Sequence, residues 1–151
     1  MSGFIDVAAA VIRPASQPHG LILIAKRPAD SHMGGFWEFP GGKVEVGETP
    51  AQAVVRELRE ELAIETEVLG PLTVIEHAYA EKSVRLHFFD VAMTCGCPTA
   101  SNGAPLRWVR ADELPRYEFP PANVPVVQML ASADASSRNA FEAAPERPSL
   151  A

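Results

Sequence analysis

Glu57, Glu60 and Glu61 are spaced three positions apart and then one. On a helix, positions i, i+3 and i+4 put all three carboxylates on one face. Exposed like charges at those spacings repel by roughly 0.2–0.5 kcal/mol per pair. A solvated face screened by Arg56 and Arg59 would be the ordinary explanation. The segment just upstream, Pro40-Gly41-Gly42-Lys43-Val44-Glu45-Val46-Gly47-Glu48, sets this cluster apart. A glycine-rich turn lets backbone carbonyls and amides come close to a ligand. Carboxylates joined by a carbonyl are the hard oxygen donors that Mg²⁺ requires, and phosphate oxygens can complete its octahedron. The chemistry so implied is metal-assisted work on a phosphorylated molecule.

A helix must hold these acids, and its start is written in the sequence. Thr49 supplies an N-cap, Pro50 the first helical position and Gln52 the third, which together make a capping box. Beyond it Ala51, Val54, Val55, Leu58 and Leu62 form one apolar stripe. The acids lie about a quarter-turn from that stripe, so the helix buries one side and presents carboxylates on another.

The other elements are shorter. Residues 6–12 and 21–25 are apolar runs that predict buried strands, with a turn-rich segment, 14–20, between them. Residues 28–35 predict a loop and 68–75 a weaker strand. In 83–94, Val84, Leu86 and Phe88 fall on one side of a strand and Arg85 and His87 on the other. Residues 106–109 predict a short strand, and a second helix is expected to begin near Pro121 or Pro125. The domain is therefore drawn over 1–131. Residues 132–151, rich in Ala, Ser and Pro, are expected to be a disordered tail.

Composition excludes several classes. A chain of 151 residues fits one domain. It has no run of eighteen apolar residues and no basic-then-apolar leader at its start, so a cytoplasmic protein without a membrane partner is expected. A formal net charge of −6 argues against a nucleic-acid-coating protein, which needs Lys/Arg clusters. It leaves room for a small phosphorylated ligand, because a bound divalent ion reverses the local field. Cys95 and Cys97 flank one glycine, too close for an ordinary disulfide and without a second zinc-like pair, and are read as reduced structural thiols. Trp37 and Trp108 are read as core or pocket walls and His77 and His87 as groups facing their strands; Tyr79, Phe88 and Phe89 could floor a base pocket but are read as sheet core.

With these residues in view, the chain resembles a known family. Gly42, five residues, Glu48, seven residues, then Arg56-Glu57-Leu58-Arg59-Glu60-Glu61-Leu62-Ala63-Ile64 resembles the Nudix box. Six strict positions match, a coincidence on the order of once in 10⁷ at average residue usage. Ala63 departs, since the family has glycine there; at a left-handed helix end alanine costs about 1 kcal/mol or shifts the end slightly. Arg27, residues 30–33, Trp37-Glu38-Phe39-Pro40-Gly41-Gly42-Lys43 and residues 119–125 look like the MutT branch, which hydrolyses 8-oxo-dGTP. The resemblance spans roughly residues 5–131. It implies an α/β fold: a mixed β-sheet in an α/β/α sandwich, with the box as a loop–helix–loop.

The same resemblance implies roles. The Gly41 carbonyl and the Glu57, Glu60 and Glu61 carboxylates would hold Mg²⁺, with Mn²⁺ able to substitute. Arg56 would pin a carboxylate of the cluster, and Glu57 is the first choice for taking a proton from the attacking water. Glu60 and Arg56 complete the expected catalytic set. Arg27 would contact phosphate or sugar, and His32 and the backbone of Glu38, Phe39, Pro40 and Gly41 would line the nucleotide site. Asn123 is expected to choose the base. 8-Oxoguanine carries a proton on N7 beside the O6 acceptor, so one carboxamide can accept from the first and donate to the second. With normal guanine the carboxamide oxygen would face a lone pair, and a mismatch of that kind is worth orders of magnitude in kcat/KM. Asn102 stands where several family members place an extra acid, and an amide accepts no proton at neutral pH. The partner expected is therefore a small nucleotide acting on a monomer, with a dimer left open. A modified cytidine triphosphate is the alternative substrate. An inactive module that reads a DNA lesion is the less favoured reading, because the box acids are intact and the chain is acidic.

Overall fold

Two apolar runs build the centre of the sheet, β1 (Ile5–Arg13) and β2 (Leu21–Lys26). A computed structural model gives the structure and describes residues 3–14, 20–31 and 33–143. The remaining strands are β3 (Trp37–Glu38), β4 (Gly41–Lys43), β5 (Glu65–Ala78), β6 (Ser83–Cys95) and β7 (Leu106–Arg110). They form one sheet in the order β3-β2-β1-β6-β5, with β4 added to β1 and β7 to β2. Only β1 and β6 among these pairs run parallel, from Ile5 opposite Val84 to Arg13 opposite Ala92.

β1 is apolar on successive residues because both its faces are covered. Ala8, Ala10 and Ile12 face α1 (Pro50–Leu62), meeting its Ala53, Val54, Leu58 and Leu62. Ala9 and Val11 face the opposite layer, made by the 3₁₀ segment Ala111–Arg116 and by α2 (Val124–Ala143) with its Val126, Val127 and Leu130. The result is the α/β/α sandwich. Leu58 is fully buried in it, a burial that stabilises the docked helix by about 1.5–3 kcal/mol.

One detail of this sheet positions the site. β6 occupies one edge of β1 throughout, so β2 and β4 share the other. β2 meets β1 at Ile12–Leu23, while Gly41–Lys43 pairs with Val7, Ala8 and Ala9. β1 and β2 fork, and the glycine-rich segment is laid in the fork beneath α1. Gly41 is required there: a Cβ on it would overlap the Ala8 carbonyl.

Several expectations change. β5 is far longer than 68–75, running to Ala78 as an edge strand broken in register around Gly70 and Pro71; an edge tolerates such irregularity. β3, β4 and the 3₁₀ segment were not predicted. The second helix begins at Val124 behind a 3₁₀ turn, Pro121–Asn123. It continues to Ala143, so residues 132–143 of the expected tail are helical. Residues 144–151, and 15–19 of the expected turn, lie outside the described residues. Cys95 and Cys97 are free as expected, but exposed and not packed. Trp37 and Trp108 back the two cores, and His87 Nε2 lies 2.9 Å from Asp6 Oδ1. Among the described residues no helix is long and apolar enough to cross a membrane.

Candidate active site

The site grows from the start of α1. Thr49 Oγ1 accepts from the Gln52 amide at 3.1 Å, and Gln52 Oε1 accepts from the Thr49 amide at 2.9 Å, closing the capping box. Just before it, Glu48 Oε1 accepts from the Glu45 amide at 3.0 Å. Two turns into the helix, Arg56 reaches back and uses every N–H it has. Nε donates to Glu48 Oε2 at 2.6 Å, and Nη2 donates to Glu48 Oε1 at 2.9 Å and to the Lys43 carbonyl at 3.0 Å. Nη1 donates to Glu57 Oε1 at 2.9 Å and Glu60 Oε2 at 3.1 Å. This planar fork fastens the glycine loop to the helix, as a lysine could not. It holds the Glu48 carboxyl below the usual range and pushes the Arg56 guanidinium up. Arg56 does pin the cluster, but its principal partner is Glu48, a box residue left without a role above.

Glu57 points at Gly42. A Cβ on Gly42 would meet the Glu57 carboxylate oxygens at 2.5 and 2.6 Å, so the glycine is what lets the carboxylate lie against β4. Glu61, open to solvent on one side, is crowded on the other. Desolvation by its surroundings, a hydrogen bond with Glu57 and the charges of Glu57, Glu38 and Glu60 push its carboxyl up to about 8. Glu38 is likewise raised by burial, against the pull of Arg27, whose Nη1 donates to it at 3.0 Å.

Two clefts meet at Glu38. The first, about 220 Å³, is lined by Arg27, Glu38, Gly41, Gly42, Lys82 and Asn123. A smaller hollow sharing Arg27, Lys82 and Asn123 extends it towards Met33 and Tyr79. The second cleft, about 250 Å³, is lined by Glu38, Pro40, Glu61, Ser101 and Asn102 among others. Phe39 is buried at the junction, stacked on Phe119 with centroids 5.1 Å apart. Asn123, 9% exposed, is the one buried polar side chain among the described residues. Its amide N–H is used by Pro120 O at 2.9 Å, and no described residue donates to or accepts from its carboxamide. A buried amide without a partner, set in a cleft wall, is built to bind something else.

The structure sets Arg27, Glu38, Phe39, Gly41 and Asn123 on one cleft and Glu38, Pro40 and Glu61 on the other, with Glu57 against Gly42 and Arg56 bonded to Glu57 and Glu60; His32 lies outside the described residues. It adds Glu48, Lys82 and Tyr79. Glu48 was legible as a box position two residues before a helix full of acids. Tyr79 was read as sheet core but lies just past the end of β5 and lines the hollow, and Lys82 had no signal, because a hairpin tip reaches the cleft only through tertiary pairing. Asn102 spends its Oδ1 on the Ala104 amide at 2.9 Å, an Asx turn within its own loop.

Comparison with known proteins decides the family. Residues 8–129 match the NUDIX domain. The chain belongs to the Nudix family. Its place is with the MutT-like Nudix hydrolases. It is 39% identical over 126 residues to the 8-oxo-dGTP diphosphatase of Escherichia coli, covering 83% of this chain and 95% of that one. It is also 39% identical over 124 residues to the CTP pyrophosphohydrolase of the same organism, covering 82% and 89%. A solved MutT structure, from work on Aliivibrio salmonicida and Vibrio cholerae, superposes with a TM-score of 0.67 at 36% identity, covering 85% of this chain and 96% of that one. Nudix hydrolases work with a divalent metal ion. Among the described residues no three His, Cys, Asp or Glu side chains stand close enough to grip an ion, and Arg56 draws Glu57 and Glu60 to itself. The donors nevertheless fit one. Hard carboxylates crowd together until Glu61 resists ionising, which is the arrangement a divalent cation relieves.

Proposed function

We propose that this Nudix enzyme hydrolyses 8-oxo-dGTP to the nucleoside monophosphate and pyrophosphate, and so clears an oxidised precursor before a polymerase can use it. Mg²⁺, held by the Gly41 carbonyl and by Glu57, Glu60 and Glu61, supplies charge neutralisation on the phosphates when bound, and Mn²⁺ substitutes. Glu57 takes the proton from the water that attacks the β-phosphorus. Arg56 keeps Glu57 and Glu60 aimed from the loop side, and Arg27 binds phosphate or sugar. Asn102 takes no proton, so the base role rests with the helix carboxylates. His32 joins Glu38, Phe39, Pro40 and Gly41 in lining the nucleotide. Residues 1–131 carry the activity, in the cytoplasm and as a monomer, with no nucleic-acid partner.

The observation that carries the choice of base is Asn123: nine-tenths buried, its carboxamide unengaged, in the wall of the cleft that also contains Gly41 and Gly42. Such a group can accept from N7–H and donate to O6 of 8-oxoguanine at once. The CTP pyrophosphohydrolase relative, as similar as the 8-oxo-dGTP diphosphatase, supports a second reading with a cytidine triphosphate as substrate. The test is kcat/KM for 8-oxo-dGTP, dGTP and a modified CTP side by side with Mg²⁺, with the phosphate product identified. A large preference for 8-oxo-dGTP with pyrophosphate release is expected. Preference for the cytidine nucleotide would overturn the choice of base and leave the hydrolytic chemistry in place.

A further inference from the structure

The carboxamide of Asn123 can discriminate only if the turn that carries it is held still, and that turn is a weak structure by itself. Pro121–Asn123 is a three-residue 3₁₀ element placed directly before α2. The first N–H groups of any helical segment lack partners inside it. Pro121 has no N–H to satisfy, and the Asn123 amide is used by Pro120 O. That leaves the Ala122 amide, on a residue 1% exposed. Its partner comes from far along the chain: it donates to the Tyr79 hydroxyl at 3.4 Å.

Tyr79 opens the connection between β5 and β6, closed by its own amide donating to Lys82 O at 2.8 Å. Its ring packs 4.5 Å from that of His77, and it lines the same hollow as Asn123 and Arg27. The hairpin tip and the turn before α2 therefore meet through one hydroxyl, one residue away from the base-reading amide. We propose that Tyr79 is a positioning residue for base selection: by accepting from Ala122 N–H, it fixes the turn that aims the Asn123 carboxamide. The proposal rests on the reading that Asn123 selects the base. It goes further in assigning selectivity to a phenolic hydroxyl that reaches the base only through backbone.

Tyr79→Phe keeps the ring and removes the hydroxyl that accepts from Ala122, so the fold is expected to survive. A single neutral hydrogen bond carries roughly a three- to tenfold effect. The ratio of kcat/KM for 8-oxo-dGTP over dGTP is expected to fall by about that factor, through a higher KM for 8-oxo-dGTP with kcat little changed. Hydrogen exchange at the Ala122 amide is expected to quicken in the same variant, while amides in α1 stay as they were. A merely structural contribution would lower both substrates in parallel, and that result overturns the proposal. An unchanged selectivity ratio overturns it as well. If the wild-type enzyme shows no preference for 8-oxo-dGTP, the reading of Asn123 fails and the selectivity role fails with it. Ala122 exchange then tells the two failures apart, since quickened exchange keeps the anchor and unchanged exchange removes it.

Discussion

Replacing Gly42 by alanine would put a Cβ 2.5 and 2.6 Å from the two Glu57 carboxylate oxygens, well inside the 3.4 Å at which ordinary contact begins. The obstacle is the far end of a side chain, so the carboxylate gives way and β4 and α1 keep their places. The nearest carboxylate atom, Cδ, lies at 2.3 Å, so the retreat needed is about 1.1 Å, and a misplacement of that order in a catalytic group costs about 10²-fold in rate. The 2.9 Å bond from Arg56 Nη1 to Glu57 must lengthen or turn with it, which also disturbs Glu60 on the same nitrogen. The expected result is a loss of about 10²-fold in kcat/KM for pyrophosphate release, with the thermal midpoint moved by only a few degrees. Gly70→Ala is the control, because its added Cβ meets nothing within 4 Å. Activity of Gly42→Ala within threefold of wild type would refute the reasoning, as Glu57 would then tolerate displacement. A loss matched by collapse of the fold would refute it too, by showing that the backbone and not the carboxylate had absorbed the clash.

Asn123→Ala is expected to lower the 8-oxo-dGTP over dGTP ratio of kcat/KM by at least about tenfold, read in the same assay, while hydrolysis of dGTP itself changes little. Glu61 gives a pH signature in the metal-free protein: raised to about 8 from an ordinary 4.5, it keeps in the folded state a proton that the unfolded chain has already lost. Stability from this group is therefore full below about pH 4.5, is lost as pH rises towards 8, and falls no further above that; saturating Mg²⁺ should flatten the decline in thermal midpoint and release a proton measurable by calorimetry in two buffers. Ala63 ends α1 in the left-handed region, φ 57° and ψ 36°, with its amide donating to Arg59 O at 3.2 Å. Ala63→Gly removes that strain, offset by the extra freedom of glycine in the unfolded chain, so differential calorimetry should show a gain between zero and about 1 kcal/mol at unchanged kcat.

What could be read from the sequence was local. The capping box at Thr49, the apolar stripe of α1 and the doubly buried character of 6–12 each depend on residues within a turn or two, and each is in the structure where the pattern put it. The departure at Ala63 was legible as a cost, and the structure shows which form it takes: the helix ends where glycine would have ended it, and alanine bears the strain. Pairing was not legible. Nothing in residues 5–13 says that β6, seventy residues on, lies parallel beside them, because alternation and burial specify a face but not a neighbour. The same gap hid Lys82 and left Tyr79 read as sheet core, since the value of both lies in where the β5–β6 hairpin tip comes to rest. Residues 132–143 differ from the expected tail for another reason: a composition that cannot form a core can still extend a helix already started by Val126, Val127 and Leu130.

The paired glycines of the box show how a motif can be right in function while its physical cause stays hidden. Read as sequence, Gly41-Gly42 is a flexible turn that admits a ligand. In the structure neither residue has a positive φ, and both lie in the extended strand β4, so conformational freedom is not what requires them. Each instead answers a different neighbour. Gly41 lacks a Cβ because the Ala8 carbonyl of β1 occupies that space, and Gly42 lacks one because the Glu57 carboxylate of α1 does. The pair is a thin place between layers, where strand, strand and helix approach one another more closely than side chains permit. Arg56 then fixes the spacing with one fork, gripping Lys43 O on the strand, Glu48 on the loop, and Glu57 and Glu60 on the helix. A site that gathers one backbone carbonyl and three carboxylates must solve that packing problem first, and the spacing of the box, with five residues to Glu48 and seven more to Arg56, is the chain length its solution needs.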